Sequence, residues 1–222
     1  MTLYSEPIST DLPQQQMSTQ PRKIEIRKAN EALIMEAAEK IFAINGYKGA
    51  ATGDIAREAG IPKANLHYYF KTKSNLYREV LKHILDDWMA AASTFDVYHE
   101  PEEALSTYVR AKMEFSRQRP FGSRVWAREI MSGAPLLDNF LGTTLKAWLN
   151  ERVRVIRRWI REEKIDSVDP HALMYMIWAT TQHYADFERQ ITILNNGKEL
   201  SARRYRQRTD EVISLILGSV GL

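Results

Sequence analysis

Between Thr52 and Lys73 the sequence "TGDIAREAGIPKANLHYYFKTK" gathers a hydroxyl, an amide, an imidazole, two phenols and several ammonium groups. No activated nucleophile accompanies them, so the chemistry on offer is hydrogen bonding and charge pairing with a partner rich in acceptors. Lys63, Ala64, Asn65 and His67 are short or polar at the start of a helical segment, which suits the base edges of a DNA major groove. Asn65 fits an adenine edge or a phosphate, and Ala64 a thymine methyl. Tyr69 and Lys73 stand at the far end, suited to phosphates, and Thr52 precedes them at a helix N-terminus that suits another. Tyr68 and Phe70 are expected to pack inside. Taken alone, the rings of His67, Tyr68 and Tyr69 fit amphipathic core aromatics equally well.

A second cluster lies in "HALMYMIWATTQHYADFERQ", residues 171 to 190. Trp178, Gln182 and Asp186 are four residues apart and share one helix face, with His183 beside them. An aromatic plate and an amide that both donates and accepts suit a small planar polar ligand. Gln182, His183 and Asp186 would serve equally as a self-satisfied network or as part of a dimer seam. The expected apolar side of this helix is Leu173, Met176, Ile177, Thr180, Tyr184 and Phe187.

Catalysis finds less support. His99, His171 and His183 are not at metal-ligand spacings, and no HExxH, GxSxG or Gly-rich phosphate loop occurs. The chain has no Cys, which excludes disulfides, thiolate metal sites and a cysteine nucleophile. His183 and Asp186 would make a base and its orienter, but with no nucleophile to serve. No catalytic residue, metal or cofactor is expected. A small helical enzyme is a remote alternative, and a DNA-binding protein with a fully packed body and no effector is a third.

The elements that must position these residues read as helices throughout, so the expected fold is all-α. Residues 1 to 21, rich in Ser, Thr, Gln and Pro, read as a disordered tail. "KANEALIMEAAEKIFAINGY" carries Ile34, Ala37, Ala38, Ile41 and Phe42 at helical spacing, with Gly46 to end it. Thr52 is the expected cap of a second helix and Gly60 follows its end, while the third starts at Pro62 or Lys63 and runs to about Phe70. Ala56, Ile61 and Leu66 supply the contacts of a helix-turn-helix. Ser74 is the expected cap of a linking helix over 74 to 93. Further helices are expected at 101 to 118, 122 to 132, 138 to 163, 169 to 190 and 199 to 217. The domains are thus a DNA-binding head over 22–73 and an effector-binding, dimerising body over 74–222. The excess of apolar residues in "DEVISLILGSV" suggests a homodimer seam built on the last two helices, with burial inside one subunit as the alternative.

Charge agrees with this division. The net charge is +3, and residues 22 to 84 hold 12 Lys/Arg against 7 Asp/Glu. The positive excess sits on the head, as phosphate binding requires. No apolar run is long enough to span a membrane, and the start lacks the basic and apolar parts of a secretory signal, so a cytoplasmic location is expected.

With these residues in view, "ATGDIAREAGIPKANLHYYFKTKSNLY" resembles the DNA-binding head of the TetR family of bacterial transcription regulators. The resemblance implies an all-α homodimer on a palindromic double-stranded DNA operator, usually as a repressor, with a small-molecule effector in the body. "IWATTQHYADF", "MSGAPLL" and "LDDW" are similar to a pyrimidine-responsive branch of that family, which implies that Trp88, Trp178 and Gln182 contact a ring such as uracil or thymine. Trp126 and Arg128 depart from that branch. A basic side chain near the pocket would favour an anionic ligand such as a carboxylic acid, unless Arg128 faces solvent or pairs across a dimer.

Overall fold

The computed structural model describes residues 19–222, and every regular element among them is helical. Of the expected tail, residues 1–18 lie outside the described residues, whereas 19–21 already belong to the first helix. That helix, α1 (Thr19–Gly49), buries Ile34, Ala37, Ala38 and Phe42 at the expected spacing. Its regular part stops at Gly46, whose φ of 69° is the left-handed conformation that a residue without Cβ adopts at no steric cost.

The short helices α2 (Thr52–Glu58) and α3 (Lys63–Tyr69) follow, joined by a turn in which Gly60 has φ 68° and Ile61 donates its N–H to the Ala56 carbonyl at 3.0 Å. Ala56 and Leu66 are buried between them and Ile61 is half-buried. The helix-turn-helix is therefore held by the three contacts read from the sequence. Two caps differ from expectation. Ala51, not Thr52, occupies the cap position of α2, so Thr52 is already the first helical residue and its hydroxyl caps nothing. Thr72 rather than Ser74 caps α4 (Lys73–Ala91), its hydroxyl accepting from the Asn75 N–H at 3.1 Å.

The body contains α5 (Thr94–Val97), α6 (Pro101–Gln118), α7 (Pro120–Met131), α8 (Asp138–Phe140), α9 (Lys146–Arg161), α10 (Pro170–Asp186), α11 (Glu188–Leu194) and α12 (Ala202–Gly218). Proline opens α6, α7 and α10, where its missing N–H costs nothing, and the Asp169 carboxylate caps α10 by accepting from Ala172 N–H at 2.7 Å. The single helix expected over 138 to 163 is instead α8, a π-helical segment at Leu141–Leu145, and α9. The helix expected over 169 to 190 breaks after Asp186.

Two apolar clusters hold the molecule together. One joins α1 to α3 with the first part of α4 and with Val125 and Trp126 of α7; the other lies among α5, α6, α9, α10 and α12 around Phe95, Tyr108 and Trp159. The head's core thus runs on into the body. A Cβ at Gly122 of α7 would stand 2.9 Å from the Glu39 carboxylate, so α7 crosses α1 at a distance only glycine permits. Arg119, at the α6–α7 corner, pairs with both Glu39 of α1 and Asp87 of α4. Among the described residues no helix is long and apolar enough to cross a membrane.

Candidate DNA-binding face and effector cavity

The third helix shows solvent one continuous polar face. Lys63, Ala64, Asn65 and His67 are all exposed, and none makes a side-chain hydrogen bond or ion pair among the described residues. The apolar side of α3 is reduced to Leu66, with Phe70 buried just beyond. Tyr68 was expected to pack inside and does not: it is 74% exposed and meets only Tyr69, edge-on at 5.4 Å between centroids. On a seven-residue helix, burying position 66 turns position 68 through about 200°, which carries it to the open face. Tyr69 is half-buried and its hydroxyl accepts from the Asn30 amide at 3.1 Å, which ties α3 to α1.

Lys73 departs from its expected role. Its ammonium donates to the carbonyls of Tyr47 at 2.8 Å and Ala50 at 3.0 Å, and lies 4.7 Å from the Tyr47 ring centroid. These carbonyls lie in the last turn of α1 and on the residue just after it, where a helix leaves acceptors without intrahelical donors. Lys73 is a staple inside the head, and Lys71, exposed two residues earlier, is the free cation of the "KTK" pair.

A cavity opens in the body between the two apolar clusters. It encloses about 50 Å³, a narrow slot well below the usual range for small-molecule sites. Leu85, Trp88 and Met89 come from α4, Trp126 from α7 and Trp178 and Gln182 from α10. Tyr108 and Lys112 of α6, with Leu145 and Trp148 around the π-helical segment, complete the wall. Four of the five Trp residues in the chain converge here. Trp88 and Trp126 meet edge-to-face at 5.4 Å, and Trp148 lies against Trp178 at 6.2 Å. Such rings form stiff, flat walls at low conformational cost.

Polar groups in this wall are few and uneven. Trp178 donates its indole N–H to the Tyr108 hydroxyl at 2.9 Å, and burial pushes that phenol's pKa up. By contrast the indole N–H groups of Trp88 and Trp148 are buried without a partner. Lys112 is only 2% exposed, its Nζ 3.6 Å from the Trp88 ring centroid, and burial pushes its pKa down to about 7 against the opposing pull of the Asp186 charge.

Trp88, Trp178 and Gln182 are therefore brought together as the sequence suggests. His183 and Asp186 are not on the cavity wall. His183 is exposed and stacks on Phe187 at 4.9 Å; Asp186 turns toward α7 and accepts from the Ser123 hydroxyl at 2.7 Å. Burial pushes the Asp186 carboxyl up, against that hydrogen bond and the charges of Arg124 and Lys112. The buried face of α10 is Leu173, Met174, Ile177, Thr181 and Ala185, so Met176 and Phe187, expected inside, point outward. Arg128, weighed as the pocket cation, is exposed and packs across Gly46 at the end of α1.

Lys112 was not found from sequence, yet a signal existed. It occupies the apolar stripe Leu105, Tyr108, Val109, Met113, Ser116 of α6, where a lysine must be buried with its charge.

A helix-turn-helix with a free polar face, continuous in its core with a helical body that holds a lined cavity, defines the class of one-chain DNA-binding regulators. The comparisons with known proteins make this specific. The description "Bacterial regulatory proteins, tetR family" matches residues 34–80, and "YcdC-like protein, C-terminal region" matches residues 81–222. The chain belongs to the TetR family. It is 37% identical over 192 residues to the HTH-type transcriptional regulator RutR of Escherichia coli K12, covering 86% of this chain and 91% of that one. Over 48 residues, 22% of this chain and 26% of the other, it is 44% identical to the regulator QacR of Staphylococcus aureus. The fold is also that of the ketosteroid regulator KstR2 of Mycobacterium tuberculosis, with a TM-score of 0.70 at 21% identity over 86% of this chain and 94% of that one. It is a TetR-type transcription regulator homologous to RutR, and its relatives are regulators rather than enzymes.

Proposed function

We propose that this protein is a cytoplasmic repressor that leaves its palindromic operator when a small planar effector, a pyrimidine such as uracil, enters the aromatic cavity. The observation that carries the reading is the meeting of Trp88, Trp178 and Gln182, Trp88 remote from the other two in sequence, around one cavity. Flat indole walls suit a flat ring, and the Gln182 amide meets a donor and an acceptor on one edge.

The DNA side follows from α3. Two copies would set their Lys63, Asn65 and His67 faces into successive major grooves about 34–36 Å apart, one turn of the double helix. The seam joining them is the outer side of α10 to α12, where Tyr175, Met176, Phe187, Leu194 and Leu215 leave an apolar surface exposed. An effector wedged between α4, α7 and α10 touches both helices that grip α1, because Trp88 and Trp126 belong to α4 and α7. It shifts the population of head orientations by its differential affinity for the two arrangements.

A thermal-shift screen of the full chain against pyrimidines, purines, amino acids and small carboxylic acids tests the effector. A ligand that binds only the folded state raises Tm by mass action. Stabilisation by uracil or thymine that disappears in Gln182→Ala is expected. Stabilisation by pyrimidines that persists unchanged in that variant would remove Gln182 from the site, and no response to pyrimidines would remove them as effectors.

A further inference from the structure

Lys112 poses a problem that a neutral pyrimidine does not solve. Its ammonium is almost wholly withdrawn from water and has no hydrogen bond or ion pair among the described residues. The contact with the Trp88 ring returns only part of what a buried, unpaired cation loses. No carboxylate stands in the cavity wall. From α4, α7 and α9 the cavity receives apolar and aromatic groups alone. From α10 it receives the uncharged Gln182, and Asp186, a turn further on, is already engaged by Ser123. On α6 itself Tyr108 is held by Trp178, and the Arg152 charge behind it is already met by Asp96 at 2.7 Å.

We propose that the effector enters this cavity as an anion, a planar ring bearing a carboxylate whose charge is held by the Lys112 ammonium. A neutral ring meets the Gln182 amide but leaves Lys112 with only the charge of Asp186, with which it makes no ion pair; an anion places a countercharge at the ammonium itself. The inference rests on the reading of the cavity as the effector site and adds the charge of what occupies it. It also couples binding to protons. In the empty cavity burial holds the Lys112 pKa near about 7, opposed by the charge of Asp186, and a bound anion draws the proton on. Affinity for an anion is therefore flat below pH 7 and falls above it, approaching tenfold per pH unit.

The test is a tryptophan-fluorescence titration of the full chain with uracil and with its 5- and 6-carboxylates, ionised throughout, at pH 6.5 and 8.5. At pH 6.5 one of the carboxylates should bind at least tenfold more tightly than uracil, and the advantage should shrink about tenfold or more at pH 8.5. Lys112→Arg should keep the preference, whereas Lys112→Met should abolish it. Uracil binding as tightly as either carboxylate, or a preference that survives Lys112→Met, overturns the anion while leaving the pyrimidine reading in place. Failure of all three rings to bind overturns both.

Discussion

The α3 face proposed to read DNA and the cavity proposed to hold the effector use similar side chains in opposite ways. On α3 the polar groups are exposed, unpartnered and within five residues of one another; in the cavity they are buried or half-buried in a wall drawn from five helices and the π-helical segment, and set among four tryptophans. An exposed donor is hydrated while it waits for a phosphate or base, so leaving it unpaired costs the fold nothing. A buried donor without a partner costs stability continuously. Function on the head is therefore nearly free, whereas function in the cavity is purchased with stability.

The sharpest way to break this comparison is Lys112→Met. A lysine whose folded pKa lies at about 7, below its unfolded value, destabilises the fold fully below pH 7, and that penalty fades as pH rises toward the unfolded value. The variant should therefore be more stable than the parent by about 2–4 kcal/mol at pH 6, with the gain shrinking at pH 9. Thermal melts across pH check this. A destabilised variant at pH 6 would show that the cavity carries no such cost.

Asn65→Ala probes the other region. Its exposed amide contributes no contact to the fold, so Tm should stay within the small range typical of surface changes, while affinity for selected DNA drops by about 1–3 kcal/mol. Anisotropy titrations at fixed salt measure the loss. Equal affinity would take Asn65 off the DNA.

Lys73→Ala gives the smallest expected effect and sharpens the boundary between the two kinds of residue. Its two hydrogen bonds to the end of α1 predict a loss of about 1–2 kcal/mol in stability. Because the ammonium faces protein rather than phosphate, the slope of log affinity against log salt should not change. A slope reduced by about 0.9 would put Lys73 back among the phosphate contacts.

What the sequence made legible follows the same division. The head is contiguous, so Ala56, Gly60, Ile61 and Leu66 announce their turn and the exposed positions follow by elimination. Tyr68 escaped because a seven-residue helix has too few turns for periodicity to fix its inner face. Trp178 and Gln182 were visible because helical spacing places them together, but the same spacing also pointed to Asp186, which the crossing of α7 diverts to Ser123. Lys112 was missed because a charged residue inside an apolar stripe is ordinarily taken as a solvated exception, and only the packing of α4 over α6 shows that its charge is covered by Trp88. The π-helical segment that carries Leu145 to the cavity leaves no mark in apolar spacing at all.

In the proposed function, DNA recognition and effector recognition reside in separable regions linked through α4 and α7. The most direct measurement is release of fluorescent DNA, selected by the protein from a random pool, as uracil or its carboxylates are added to the parent, Asn65→Ala and Gln182→Ala. Asn65→Ala should lose DNA affinity while still binding effector, and Gln182→Ala should hold DNA as the parent does but no longer release it. Loss of both DNA affinity and effector binding in either variant, or undiminished release from Gln182→Ala, would contradict that separation.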